Sequence, residues 1–467
     1  MSKSWRTLLI TSVGVFMASL DLFIVNIAFP DIAKSFGNAK LSDLSWVLNA
    51  YAIVFAALLV PFGRIADRVG RKRVFLYGLI VFTTGSALSA AAPSVGALVG
   101  ARVIQAAGGA MMIPTSLGLI LAAFPIEKRA AAVGAWSAAA GVAAALGPPI
   151  GGLLVQADWR WIFIVNIPVG LVMAAIAYRR LDEVRDPNPG PPPDAVGVLL
   201  IAAGIALLTS GIVKGPDWGW GDPRIVGAFV AAVGSLVWFF RRSATHPSPV
   251  IELDLLEHRS FIVGNAATMV FFAGFASMLL AGVLLLTEVW GYSVLHAGVA
   301  LVPGPAMAAT FAAPAGRLTG RFGPRPVVFA GGLVFAVGFF MLLAMLESTP
   351  DYAGSFLPGF MVGGIGVGLS VGSLPGAVTS TLPPDRFATG SAVFGMSRQV
   401  GSAIGVAVLV ALLADPLPAQ LFHHLLRGLW FSGATGIGTA VLGLALGPAS
   451  QPSSVADTEM STLPLRA

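Results

Sequence analysis

Long apolar runs broken by short polar turns repeat along the whole chain. A helix needs about 20 consecutive, mainly apolar residues to cross the hydrocarbon of a bilayer. By that measure the pattern predicts about fourteen spans, at 8–29, 45–63, 74–92, 95–123, 130–155, 161–178, 195–213, 224–240, 261–287, 296–316, 326–346, 355–380, 388–413 and 427–447. The seventh and eighth runs carry no polar residue near their centres apart from Thr209 and Ser210. A Pro-rich linker, 186–194, precedes them and a polar stretch, 241–260, follows them, so they read as an insert between two larger sets. The expected division is a bundle of six helices over 1–180, a linker with two inserted helices over 181–260, and a second six-helix bundle over 261–448. Within the linker, 250–259 mixes leucines with acids and Arg259 and reads as a short interfacial segment. The Ser-, Pro- and Thr-containing tail, 449–467, is expected to be disordered. The fold class is an all-α membrane protein.

One basic turn occurs twice. Gly63, Arg64, Arg68 and Gly70, followed by Arg71-Lys72-Arg73, recur at the same spacing as Gly316, Arg317, Arg321 and Gly323, followed by Arg325. A repeated turn between repeated spans makes the chain two related halves, a common plan for secondary transporters. The remaining basic residues follow the same logic. Only Lys34, Lys40, Arg160, Lys214, Arg224 and Arg427 fall in the alternate set of loops, and Arg102 and Arg398 lie inside spans. Lys and Arg concentrate in cytoplasmic loops, so both termini are expected in the cytoplasm of a plasma-membrane protein.

Composition agrees with the pattern. Hydrophobic residues make up 56% of the chain and charged residues 11%. The excess of 28 Lys and Arg over 22 Asp and Glu sits in short loops, which accounts for it without nucleic acid as a partner. There is no cysteine, which removes disulfides, thiol catalysis and thiolate metal sites. No Gly-Lys-Ser/Thr phosphate loop is present, so ATP is not the energy source, and the adjacent His423 and His424 lack metal spacing. No cofactor and no enzymatic activity are expected.

Charges deep in a bilayer cost roughly 2.5–3.5 kcal/mol on insertion scales, so each needs a reason. Three stand out: Asp21, Arg102 and Arg398. Asp21 precedes Pro30 by nine residues and Arg102 follows Pro93 by nine. Both therefore lie about 13 Å below one surface, at a depth that permits contact. Burial favours a neutral carboxyl and a neighbouring guanidinium favours the ionised one, so a substrate that disturbs the pair can trade against a proton. A buried pair that merely locks two helices is the competing reading. Gln105 and Gly109 share a helix face with Arg102, and Gly401, Ser402 and Gly405 share one with Arg398. The small residues either leave space over the guanidinium or serve close helix packing. Asn26, Asn49, Asn166, Asn265 and Gln399 read first as interhelical hydrogen bonds.

Two further stretches read as moving parts. Gly147-Pro148-Pro149-Ile150-Gly151-Gly152, with Gly134 and Gly141, makes the fifth span smooth and bent. In the basic turn, Asp67 suits a helix N-terminus, and Glu127 is expected to pair with Arg68 or Arg71. Gly320 replaces the acid in the second copy, which points to a specific task for Asp67.

Taken together, these motifs resemble the fourteen-helix drug:proton antiporter branch of the major facilitator superfamily, along nearly the whole chain. Gly63–Arg73 resembles that superfamily's loop between helices 2 and 3. Arg102 with Gln105 resembles the helix 4 motif, with Ala106 in place of a usual Gly, and Gly147–Gly152 resembles the helix 5 antiporter motif. Leu20-Asp21 with Ile24-Val25-Asn26 and Pro30, and Trp159–Phe163 with Asn166 and Pro168, resemble the branch's helix 1 and helix 6 motifs. The resemblance implies the major facilitator fold and proton-driven efflux of amphiphilic compounds, often cationic drugs and dyes. It implies Asp21 and Arg102 for proton coupling. It also implies a cavity drawing on Asp21, Asn26, Arg102, Gln105, Glu288, Arg398 and Gln399, and gating by Gly63, Asp67, Arg68, Gly70, Arg71, Glu127, Gly147, Pro148, Gly151 and Gly152.

One departure matters. Some members add carboxylates in helix 13, where this chain carries Arg398. Neutral, zwitterionic or anionic amphiphiles, lipids included, therefore stay open as substrates. Partners are a small amphiphile, protons and membrane lipids, with a monomer expected. The alternative function is a flippase or facilitator without tight proton coupling.

Overall fold

The computed structural model describes residues 2–37, 39–186, 191–382, 386–414 and 420–447. The tail 449–467 and part of the Pro-rich linker, 187–190, lie outside the described residues. Among those described, thirteen helices are long and apolar enough to cross a bilayer. They are α1 (Lys3–Ser35), α2 (Leu41–Val69), α3 (Arg71–Ala90), α4 (Val95–Ala123), α5 (Glu127–Val155), α6 (Trp161–Arg180), α7 (Ala195–Trp218), α8 (Pro223–Ser243), α9 (Arg259–Val289), α10 (Val294–Phe322), α11 (Pro324–Met345), α12 (Tyr352–Thr379) and α13 (Thr389–Leu413). A fourteenth helix, α14 (Leu421–Leu444), has spanning length too, but His423, His424, Arg427 and its glycines dilute its apolarity.

The helices outrun their apolar cores because capping, not hydropathy, sets their ends. Ser2 accepts from the Trp5 amide and starts α1 five residues before Leu8. Ser94 does the same for α4 through Ala97 N, at 3.2 Å. Asp222 caps α8 with Pro223 at its first position. These side chains satisfy amides that a helix start leaves unpaired. The repeated turn shows why its second glycine recurs. Gly70 ends α2 at φ +122° and Gly323 ends α10 at φ +80°, a region that side-chain-bearing residues avoid. The segment expected at the interface over 250–259 contains a single 3₁₀ turn, Leu253–Glu257.

Helices α1–α6 and α9–α14 pack in the same pairwise order. α3 pairs with α4, α2 with α4 and α1 with α5, and their counterparts α11 with α12, α10 with α12 and α9 with α13 repeat this. Lipid chains are as apolar as leucine, so close backbone approach has to replace the hydrophobic effect between helices. Glycine supplies it at matching places. A Cβ on Gly108 would land on the backbone nitrogen of Phe82 in α3, and a Cβ on Gly366 would land on that of Phe335 in α11.

The two sets meet along two equivalent seams, α2 with α13 and α5 with α10. In the α5–α10 seam the Pro148 carbonyl lies against Gly298, and Gly152 lies against Val294 and Leu295. That contact is at the far face, opposite the basic turns. Toward the basic face the same helix α5 carries Gly134 and Gly141 with nothing within 4 Å of either. The insert is asymmetric. α7 and α8 pack on each other, and α7 packs on both α2 and α13, so it covers one seam. It is pinned at the far face by Lys214 Nζ to Asp43 Oδ1 at 2.7 Å and to Ser42 Oγ at 3.0 Å. At the basic face Arg242 Nε of α8 binds Asp194, the residue before α7, at 2.8 Å, which ties the two inserted helices to each other.

This packing gives a stability test. Gly108→Leu and Gly366→Leu force a side chain into backbone and should each cost about 1–3 kcal/mol. Gly234 in α8 has open space around it, so Gly234→Leu should leave the protein unchanged. The midpoint of thermal unfolding in detergent is the readout.

Candidate transport site

Equal depth in α1 and α4 becomes contact. Arg102 Nη1 donates to Asp21 Oδ2, and the pair is sealed, with Asp21 1% and Arg102 0% exposed. Gln105, one turn along α4, completes the arrangement. Its Oε1 accepts from Arg102 Nη1 at 2.6 Å, and its Nε2 donates to Asp21 Oδ1 and to Ser86 Oγ of α3, both at 2.8 Å. Arg102 Nε reaches the Val47 carbonyl of α2 at 3.2 Å. The guanidinium carbon lies 4.2 Å from the Tyr51 ring centroid and 5.8 Å from that of Phe163. Cation–π contact strengthens when the cation is desolvated. Five helices thus converge on one buried charge pair.

The network is incomplete on one side. Arg102 Nη2, the Tyr51 hydroxyl and both amide atoms of Asn49 are buried without a hydrogen-bond partner. Gly109, on the Arg102 face, sits where a Cβ would be 3.0 Å from the Tyr51 hydroxyl, so its lack of a side chain makes room for the phenol. In the second set, Arg398 of α13, which packs on α2, is half-buried. Its guanidinium is 5.8 Å from the Phe272 ring centroid, and its Nε is buried without a partner.

Other expected residues fall elsewhere. Gly401 and Gly405 press onto the backbone of Met269 and Ala273 in α9, so they serve helix packing and leave no space over Arg398. Asn26 donates to Leu22 O of its own helix at 2.8 Å. Asn265 alone of the expected amides bonds another helix, accepting from Ser397 Oγ of α13 at 2.9 Å. Gln399 is buried with Nε2 unpartnered. Glu288 does not join the central cluster. It lies in a π-helical turn at the far end of α9 and pairs with Lys34 of α1 at 3.4 Å.

The basic turn is built differently from expectation. Asp67 Oδ1 accepts from Arg71 Nε at 2.9 Å, and Arg71 Nη1 reaches Gly118 O of α4 at 2.9 Å, which ties α2, α3 and α4 together. Glu127, expected beside Arg68 or Arg71, stands exposed in the first turn of α5 and makes no ion pair among the described residues. Glu183, just beyond α6, takes that place. It accepts from the Lys72 amide at 3.0 Å and faces Arg73 Nε at 3.7 Å, and the Val184 carbonyl accepts from Arg71 N at 2.8 Å. The carboxyl of Glu183 also fills the space where a Cβ on Gly70 would sit. Gly147 and Gly151 pack on Phe23 and Ile27 of α1, while Pro148 and Gly152 face α10. Gly63 meets only Pro114 of α4, at 3.6 Å from an added Cβ.

Sequence reasoning passed over several participants. Arg64 binds Ser248 Oγ at 2.8 Å, Pro249 O at 2.6 Å and Glu252 Oε1 at 2.8 Å. Glu252 also pairs with Arg386, which precedes α13, so the two sets are linked at the basic face. Tyr51 was legible as the only phenol inside the second span. Asp31 was hidden by its place near a helix end, and its Oδ2 is buried without a partner.

Two helix sets around a buried charged centre are the architecture of a membrane transporter. The sequence profile of the Major Facilitator Superfamily matches residues 11–406 and, in an overlapping second match, 266–466, and the chain belongs to that family. Among similar proteins, the multidrug resistance protein Stp of Mycobacterium tuberculosis is 35% identical over 90% of this chain and 78% of its own. The tetracenomycin C resistance and export protein of Streptomyces glaucescens is 32% identical over 88% and 76%. The methylenomycin A resistance protein of Bacillus subtilis is 31% identical over 95% and 92%. Among solved structures, the xylose transporter XylE of E. coli, partially occluded and inward open, superposes with a TM-score of 0.68 at 14% identity, covering 97% of this chain and 100% of its own. An inward-facing, occupied bacterial homologue of the human lysosomal transporter Spinster gives 0.66 at 17% identity, covering 96% and 97%.

The charge pair has a thermodynamic signature. Removing one partner of a buried pair leaves an uncompensated charge and costs about 3–5 kcal/mol, whereas removing both costs far less. Arg102→Met should therefore lower the unfolding midpoint more than the double variant Asp21→Asn/Arg102→Met. Additive losses in a double-mutant cycle would contradict the coupling.

Proposed function

We propose that the protein is a proton-coupled exporter of amphiphilic small molecules that works by alternating access in the plasma membrane, with both termini in the cytoplasm. The observation that carries this reading is the sealed Asp21–Arg102–Gln105 network. Asp21 is the one carboxylate held in ion-pair contact at the centre of a span-buried cluster, and intramembrane ionisable groups mark proton and substrate pathways. Relatives named for multidrug resistance and for antibiotic resistance and export support the efflux direction. The concentration of Lys and Arg on the face of the basic turns supports its cytoplasmic orientation.

In this mechanism Asp21 takes a proton on one side and releases it on the other, and Arg102 with Gln105 holds the ionised form. The closed far end of the α5–α10 seam and the open space beside Gly134 and Gly141 describe one of two states. Rocking of one set against the other, over the smooth Gly147–Gly152 surface, gives the second. The basic turn belongs to gating. Asp67 stands about 20 Å or more from the midplane, beyond reach of substrate.

Reconstituted proteoliposomes loaded with a panel of cationic, neutral and anionic fluorescent amphiphiles test this directly. Asp21→Asn should abolish uphill export and the accompanying proton flux, yet keep downhill exchange. Undiminished proton-linked export by that variant would end the coupling assignment. Wild-type transport with no proton flux would favour a flippase or facilitator. Asp67→Asn should slow turnover several-fold with substrate affinity nearly unchanged. Lost binding with normal turnover would remove Asp67 from gating.

A further inference from the structure

Beside the two amide atoms of Asn49, one a donor and one an acceptor, three polar atoms left without partners around the central cluster can donate. Arg102 Nη2 and Arg398 Nε are N–H donors, and the Tyr51 hydroxyl also has a hydrogen to give. Asp21 accepts from Arg102 Nη1 and Gln105 Nε2 and from none of these three. No carboxylate among the described residues lies within ion-pairing distance of Arg398. Guanidinium does not lose its proton in proteins, so Arg398 cannot escape the cost of burial by neutralising itself. Its guanidinium rests 5.8 Å from the Phe272 ring centroid, and the residue is only half-buried. Tyr51 lies over Arg102 at 4.2 Å, and its helix α2 packs against α13, which carries Arg398.

We infer that Arg398 and Tyr51, backed by Arg102, form an anion-recognition subsite for the negatively charged headgroup of an amphiphile. The inference rests on the transporter reading and names the substrate class that reading leaves open. Arg102 and Arg398 bring two positive charges to a cluster whose described carboxylate is Asp21, so a bound anion balances the charge. Half-buried Arg398 meets it first, and the sealed Arg102 and Tyr51 follow when the helix sets part. A quaternary ammonium headgroup meets an uncompensated positive charge. The flanking Phe272 and the neighbouring apolar residue Leu59, which packs at Gly395 one turn before Arg398, suit the apolar body of such a ligand. Arg398 binds and orients the headgroup and moves no proton.

The test uses the purified full chain in phosphatidylcholine nanodiscs. The probes are dansyl-decyl amphiphiles that end in sulfonate, glucoside or trimethylammonium, and fluorescence anisotropy reports their binding. The sulfonate should bind about ten-fold more tightly than the trimethylammonium compound, the order expected for charge-assisted hydrogen bonds. Arg398→Gln should erase that preference and leave glucoside affinity within about two-fold. Arg398→Lys should keep the direction of the preference and lose part of its size, since a point charge replaces a fork. Tyr51→Phe should weaken the sulfonate selectively.

A wild-type preference for trimethylammonium, or sulfonate affinity unchanged in Arg398→Gln, would overturn the subsite. If Arg398→Gln does not fold, the wild-type rank order together with Arg398→Lys and Tyr51→Phe still decides. Phosphatidylglycerol added to the nanodisc separates the two sources of anion. Competition with the sulfonate in wild type alone identifies a lipid headgroup, no competition identifies a free amphiphile, and both support the subsite. The assay needs no transport. An anion preference without proton-linked export would retire the exporter reading alone, and proton-linked export with a cation preference would retire this one alone.

Discussion

A full charge in hydrocarbon has few tolerable arrangements, and the Asp21–Arg102 pair is the one on which this molecule's centre depends. Neither group is exposed; Arg102 also reaches the Val47 carbonyl of α2, and Gln105 of α4 bonds both partners and carries the network to Ser86 of α3. The pair therefore fixes the mutual depth and rotation of α1, α2, α3 and α4 together. Desolvation of two ions can outweigh their attraction, so such a pair is weak evidence for stability. In the proposed mechanism the pair is instead a device that responds when a proton or ligand changes the charge count.

Around that centre, packing is governed by the absence of side chains. In a bilayer the backbones have to approach closely to gain dispersion energy, and glycines at Gly108 and Gly366 allow it at corresponding crossings. The same economy at Pro148, Gly152 and Gly298 joins the two sets at the far face without interlocking side chains. A seam made of smooth surfaces has little to unlatch. The other seam is different, since α7 lies across α2 and α13, Lys214–Asp43 pins the insert at the far face, and Arg64–Glu252 holds its linker at the basic face. Among the described residues the pseudo-symmetric core thus carries one seam covered by the insert and one that it leaves bare.

The basic turn shows how one motif serves two scales. Locally, Gly70 and Gly323 end helices at positive φ. At longer range, Asp67 and Arg71 bind α2, α3 and α4 into a unit, while Arg64 and Arg386 share Glu252 and bridge the two sets. Surface ion pairs contribute little one at a time, but a network between parts that move can set which arrangement is favoured.

The sequence by itself determined the class of fold, because apolar run length and the bilayer's thickness leave almost no alternative to spanning helices. It determined the two-fold repeat through the basic turn. It also placed Asp21 and Arg102 at one depth, because rise per residue is constant along a helix. Rotation and neighbours were beyond its reach. Equal depth does not say which helices face each other, so the parts played by Tyr51, Ser86 and the Val47 carbonyl emerged only from packing. Glu183 displaced Glu127 beside the basic turn because the chain leaving α6 folds back under it, and no spacing rule encodes that return. Glu288 is an acid at a span's end in both descriptions, but only the tertiary arrangement put it on Lys34 and away from Asp21. Charge and periodicity are local and survive in one dimension. Which cation meets a carboxylate is a property of the assembled helices, and it is what distinguishes Arg102, paired with Asp21, from Arg398 beside Phe272.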